Sequence, residues 1–288
     1  MSAIYKFELK NYFHSVIGQL VMSAMLLFIG IYYVFINLMY GYSSMTHSLR
    51  SVSFIFVIVI PILTMRSFSE DRKNKTDQML LTSPVSITSI VMGKYLAMLS
   101  VFGLLCLISC IFPILLKQLG STQMLSSYSM LLAFFLFGAA SIAIGMFLSS
   151  LTENQIVACV GTIGVMLVLQ LMDSISTLIP STTFGSWIVL MILVPATAMV
   201  IFHMTENIVI SGITALSGWG ILTVLYFVKQ SVFENLLPGF LNYLSLSAHL
   251  DNFYNDIFDI PAIVFYLSVI FVFLFLTVQT IDKRRWGH

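Results

Sequence analysis

Charge is what this sequence has least of. It carries 13 Lys and Arg and 12 Asp and Glu among 288 residues, or 9 %, where soluble globular chains carry about 25 %. That deficit excludes a soluble domain of any size. Cysteine is nearly as scarce: Cys106, Cys110 and Cys159 all fall in apolar runs, which excludes a disulfide framework. Cys106 and Cys110 are spaced to share a helix face, but no further ligands lie near them, so they read as small packing residues and no metal site is expected. No G-x-x-x-x-G-K-[ST] loop occurs. Gly93-Lys94 is followed by Tyr95 with no glycine cradle before it, so no nucleotide cofactor is expected on this chain and any ATP-driven work needs another polypeptide. Paired His/Glu metal spacing, a Gly-x-Ser-x-Gly nucleophile and a carboxylate dyad are missing too, which removes the grounds for an intramembrane enzyme. The net charge of +1 gives no sign of a nucleic-acid partner.

What the sequence has in abundance is apolar length. Uncharged stretches of about 20 residues recur throughout, each able to cross a hydrocarbon core ~30 Å thick. The fold class is therefore an all-α polytopic membrane protein, a single transmembrane domain over 1–288. Eight runs read as spans, near 17–39, 51–65, 95–116, 130–150, 156–178, 187–203, 208–228 and 262–281. The second is short, and its bounding Arg50 and Arg66 are expected to snorkel to the two interfaces. Pro61, Pro113 and Pro195 lie within spans, which membrane helices tolerate. The opening residues mix Glu8 with Lys6 and Lys10 and lead to no cleavage site, so the first span is expected to be retained.

Basic residues set the orientation. Eight spans with a cytoplasmic N-terminus put Lys6, Lys10, Arg66, Arg72, Lys73, Lys75, Lys94, Lys283, Arg284 and Arg285 inside, and only Arg50, Lys117 and Lys229 outside. Both termini are expected in the cytoplasm, with Glu234, Asp251, Asp256 and Asp259 outside. The runs at 187–203 and 208–228 can be removed together, leaving six spans in the same orientation.

Polarity concentrates in one place. The segment 66–94 holds Arg66, Glu70, Asp71, Arg72, Lys73, Lys75, Asp77 and Lys94. Its first half is expected to continue the second helix and stop at Pro84, because the residue before proline is pushed out of the α region. Ser86 is placed to cap the next helix, which enters the bilayer near Lys94. A working handle and a loop that merely stays wet are both compatible with such a charge run.

Residues 2–15 set Ile4, Phe7, Tyr12 and Phe13 among Lys6, Glu8 and Lys10. They read either as an amphipathic helix on the inner leaflet or as a lead into the first span. Residues 240–258 alternate apolar and polar positions and read as an outer interfacial element. Leu244, Leu250 and Phe253 would then form an outer gate, or a lid over the bundle. Ser141, Gly145 and Ser149 recur every four residues, a seam for close helix approach within the chain or between two chains. Asp173, late in the fifth run, is the one candidate intramembrane acid.

The string Met65-Arg66-Ser67-Phe68-Ser69-Glu70-Asp71-Arg72-Lys73, then Thr76, Leu80-Leu81-Thr82-Ser83-Pro84-Val85-Ser86 and Gly93-Lys94 resembles the signature of ABC type-2 transporter permeases. Within that family it resembles the gliding-motility and copper-accessory branch. Tyr243-Leu244-Ser245-Leu246, His249, Asp251, Phe253, Asp259, Tyr266-Leu267-Ser268 and the closing Arg284-Arg285-Trp286 fit the same pattern. The match covers residues 1–171 and about 237–286. Two features depart from it: Lys75 stands where the family has Gly before Thr76, and 172–236 adds a helix pair to the usual six spans.

The resemblance implies a permease subunit of an exporter in a bacterial inner membrane, working as a homo- or heterodimer. A separate ABC ATPase would carry ATP and Mg, and Glu70, Asp71, Arg72 and Thr76 would form the surface on which it docks. A self-sufficient secondary transporter or channel is the competing class; it needs ionisable residues at mid-membrane or broken helices in matched repeats, and only Asp173 answers. The absence of charge along the spans leans toward lipid, peptide or another amphipathic cargo.

Overall fold

The computed structural model describes residues 2–76, 85–120, 123–178 and 235–285, with scattered helical positions between 183 and 227. The described residues are helical, with no strand among them. Among the described residues, five helices are long and apolar enough to cross a membrane, and a bent pair makes a sixth if it is one span. The spans expected at 187–203 and 208–228, and the Leu80–Leu81 and Pro84 part of the polar segment, fall largely or wholly outside the described residues. By contacts the chain divides into two compact units, one of residues 1–170 with 249–288 and one of 171–248.

In the first unit, α1 (Ser2–His14) leads into α2 (Val16–Tyr32). Ser15 makes the start of α2, its hydroxyl accepting from the Ile17 amide at 3.2 Å, the ordinary device for an orphan N-terminal donor. The span then widens into a π-helical stretch, Tyr33–Met39. Asn37, the polar residue in that stretch, is buried and holds the following turn. Its amide donates to the Tyr42 and Ser44 carbonyls at 2.8 and 2.7 Å, and its oxygen accepts from Ser48 at 2.6 Å.

The second span, expected as one short helix, is divided. It is a pair, α3 (Thr46–Ser53) and α4 (Phe56–Thr64), bent by 58° at its break. A residue far away in the sequence takes part in the break. The Val57 amide bonds to Phe54 instead of Ser53, and the freed Ser53 carbonyl accepts from Gln170 at 2.9 Å. A side chain inserted in the helical ladder is a known origin of kinks. Arg50, expected at the interface, forms an ion pair with Asp251. After α4 comes the short α5 (Ser69–Lys73).

The third span begins earlier than its apolar run, as α6 (Ile87–Ser109), with Ser86 at its N-cap accepting from the Ser89 amide. It continues as α7 (Ile111–Gln118). The joint precedes Pro113, whose ring excludes the carbonyl four residues back, that of Ser109. Then come α8 (Met124–Leu151) and α9 (Gln155–Leu178).

The helix α8 is central. About 72 % of its most apolar stretch is buried, against 22–39 % for the other four long helices, and it packs on α3, α4, α6 and the last span. Its run of small residues from Gly138 to Gly145 lets neighbours approach closely. Around it Phe56 meets the rings of Phe102, Phe134 and Phe137 at 4.7–5.5 Å. The next described element with given bounds is α10 (Leu236–Leu244), in the second unit. The chain ends with α11 (Ala248–Tyr254) and the last span, α12 (Ile260–Arg285).

Candidate functional site

The polar segment does not hang free. α5 begins where the chain leaves α4, and its first amides are satisfied by another helix. Ser149 of α8 accepts from the Phe68 and Ser69 amides at 3.2 Å each and donates to the Met65 carbonyl at 3.1 Å. This is the job of an N-cap, done from a distance of 80 residues. The small-residue seam explains the approach. A Cβ on Gly145 would stand 2.3 Å from Thr64 Oγ1, so only glycine lets α4 lie this close to α8. Ser141, one turn further back, is buried and bonds to the Phe137 carbonyl within α8.

The other end of α5 is closed by its own backbone. The Lys75 amide bonds to Arg72 and the Thr76 amide to Asp71, the paired bonds of a Schellman stop. Lys75 accordingly sits at φ +58°, a left-handed position that costs a side-chain-bearing residue about 1–2 kcal/mol. Here glycine is the fitting residue, and this chain has lysine.

The four residues expected at the docking surface are divided. Asp71 turns inward: its carboxylate reaches Lys94 Nζ at 2.8 Å. Arg72 turns back onto the α8–α9 junction, donating to Glu153 at 2.8 Å and to the Ser150 carbonyl at 3.4 Å. Thr76 donates to the Asp71 carbonyl at 3.1 Å while remaining at the surface. Glu70 is the outward one, only loosely paired with Arg66 at 3.9 Å, both side chains more than 40 % exposed. Lys73, Asn74 and Lys75 continue that exposed face.

The residue that ties the corner together is the one near which the sequence expects the third span to enter the bilayer. Lys94, in the second turn of α6, is 3 % exposed. Its ammonium meets Glu8 of α1 at 2.5 Å as well as Asp71, and lies 5.4 Å from the centre of the Phe68 ring. Its neighbour Gly93 makes the room: a Cβ there would stand 3.1 Å from Ile4 of α1. α1 is further held by Tyr5 to Ser100 at 2.9 Å and Tyr12 to the Leu63 carbonyl at 3.5 Å. Burial, and then the Glu8, Asp71 and Glu70 carboxylates, push the Tyr12 phenol far up, with Arg66 pulling the other way; it remains a neutral donor. Between α1 and α5 lies a cleft of about 870 Å³, walled by Phe7, Tyr12, His14, Arg66, Glu70 and Asn74.

The opposite end of the first unit carries a second polar cluster. Tyr254 of α11 bonds to His47 of α3 at 2.8 Å, beside the Arg50–Asp251 ion pair. The Arg50 guanidinium also covers the Tyr254 ring at 5.0 Å. Leu250 and Phe253, expected at an outer gate, are fully buried beneath this cluster, whereas Leu244, in the second unit, is 42 % exposed. Asp173 is half-buried on α9.

A bundle of membrane-length helices with a braced polar corner at one end defines a polytopic helical membrane protein. Residues 9–211 match the family described as ABC-2 family transporter protein, and the chain belongs to that family. It is thus a membrane permease of the ATP-binding-cassette class. No curated protein matches it.

Proposed function

We propose that this chain is the membrane subunit of an exporter driven by a separate ATPase, which docks on the exposed side of α5. One observation carries the reading: α5 is fixed to three spans at once. Ser149 holds its start to α8, Asp71 holds it to α6 through Lys94, and its chain runs directly from α4. A load on Glu70 and Lys73 is therefore delivered to the packed core, where interfaces repack between discrete arrangements instead of deforming smoothly.

The same end of the bundle supports the orientation. Lys94, Arg66, Arg72, Lys73 and Lys75 gather there with α1, and Arg284 reaches the Leu151 carbonyl from the end of α12. By the positive-inside rule that end faces the cytoplasm of a bacterial cell, where an ATPase carrying ATP and magnesium has access. The α3–α11 cluster then lies outside, and Leu250 and Phe253 are placed to act as a gate when it opens. A second permease chain completes the pathway, as the family implies.

The test is reconstitution with candidate ATPases from the same cell. Glu70→Ala with Lys73→Ala should reduce stimulated ATP hydrolysis about 5-fold or more, the scale of a site-to-site coupling, without changing membrane insertion. Normal stimulation by that variant would place docking elsewhere. Transport by the chain alone, without ATP, would move it to the self-sufficient transporters.

A further inference from the structure

The contacts of Lys94 say more than that a cation has found a partner. Ammonium has three donors, and this one serves two carboxylates from elements 86 and 23 residues away in sequence. All three side chains are withdrawn from solvent: 4 % exposed for Lys94, 16 % for Glu8 and 25 % for Asp71. The Arg66–Glu70 pair nearby is long and exposed, and pairs of that kind contribute little. A buried group differs, because removing one member leaves another charge without its partner, and that is strongly destabilising.

α1 packs along α6, yet apart from the enclosed Tyr12 phenol its side chains stay partly open to solvent. Its polar ties therefore matter to how it is held. Its place on the bundle rests on Ile4 against Gly93, two tyrosine hydrogen bonds, and Glu8 on Lys94. Asp71 shares that same ammonium. Any displacement of α5 that draws Asp71 away changes the charge balance that fixes Glu8, and so the place of α1.

We propose that Lys94 is a positioning residue that locks α1, α5 and the head of α6 into one lever, so that a partner pulling on α5 moves the membrane-surface helix α1 with it. This deepens, and for its working direction rests on, the docking of an ATPase at α5. The lever itself belongs to the permease alone and can be tested without the partner.

The experiment places spin labels at the exposed Lys10→Cys and Lys73→Cys positions, with Cys106, Cys110 and Cys159 changed to serine, and reads the α1–α5 distance distribution by electron paramagnetic resonance. Unlabelled counterparts are assayed with the ATPase. Lys94→Met alone strands two buried carboxylates and is a poor variant to interpret. Glu8→Gln, Asp71→Asn and Lys94→Met combined leave no unpaired charge and keep the test decidable. The expected result is a narrow distribution for the native trio and for Lys94→Arg, and a broad one for the triple variant. Partner binding should persist in the triple variant while stimulation falls about 5- to 10-fold, the size of a typical coupling between sites. A triple variant with a narrow distribution and native stimulation would overturn the proposal. Should the native permease stimulate no ATPase, the docking reading falls, and the distance measurement still decides the lever.

Discussion

Individual residues in the polar corner have jobs that their chemistry names only once their neighbours are known. Ser149 is one small residue in a repeating seam, yet its hydroxyl supplies the cap that α5 lacks in its own sequence. Lys75 is the converse case, a residue whose misfit was visible in the sequence. The family signature that Glu70–Thr76 resembles implies glycine before the threonine, and the backbone at Lys75 is left-handed with both Schellman bonds formed. Lys75→Gly should therefore stabilise the end of α5 by about 1 kcal/mol, read as slower hydrogen exchange at the amides of Lys75 and Thr76. Faster exchange there would show that lysine has a compensating contact. Of the four docking candidates, Glu70 faces outward and Thr76 stays at the surface, whereas Asp71 and Arg72 point into the protein. Residue identity gives charge but not direction.

At the scale of elements, apolar run length located the first, fifth and last spans within about four residues, because a membrane helix must satisfy its backbone internally and so shows as an unbroken uncharged stretch. It failed where polarity enters a helix. α6 begins at Ile87, well before the run, and carries Lys94 on a buried face; an ammonium so placed needs partners that lie in other helices. The second span failed differently. Nothing local to Phe54–Ile55 reads as a break, since neither proline nor glycine stands there. The bend is stabilised by Gln170, 117 residues away, on the Ser53 carbonyl. Gln170→Leu removes that donor and leaves a buried carbonyl short of a partner, a loss of about 1–3 kcal/mol. Thermal unfolding in detergent should show the lowered stability, and hydrogen exchange should rise at 53–58. Unchanged exchange in that stretch would mean the break is intrinsic to α3 and α4.

For the whole molecule, the two ends of the first unit differ in kind. One is basic and holds α1, α5 and the end of α12; the other holds the aromatic and ionic cluster of His47, Arg50, Asp251 and Tyr254. If the basic end is cytoplasmic, a single cysteine at Lys73 in a Cys-free chain should react with an impermeant maleimide only after the cells are opened, and one at Tyr42 in intact cells. The reverse labelling would invert the protein and remove α5 from any cytosolic ATPase.

The sequence by itself determined the class of protein, the apolar spans of the core and the single polar segment, because these depend on composition and on residues a few places apart. Even the start of α6 at Ser86 belongs to that local level, since a cap bonds only three residues ahead. Only the tertiary structure decided that α8 is the hub, that the second span is bent, and that Lys94 joins α1 to α5. Those depend on partners far apart in the sequence, as in Asp71–Lys94, Glu8–Lys94, Arg72–Glu153 and Ser53–Gln170. A buried charge or a freed carbonyl must be satisfied somewhere, but the chain does not say where until it is packed.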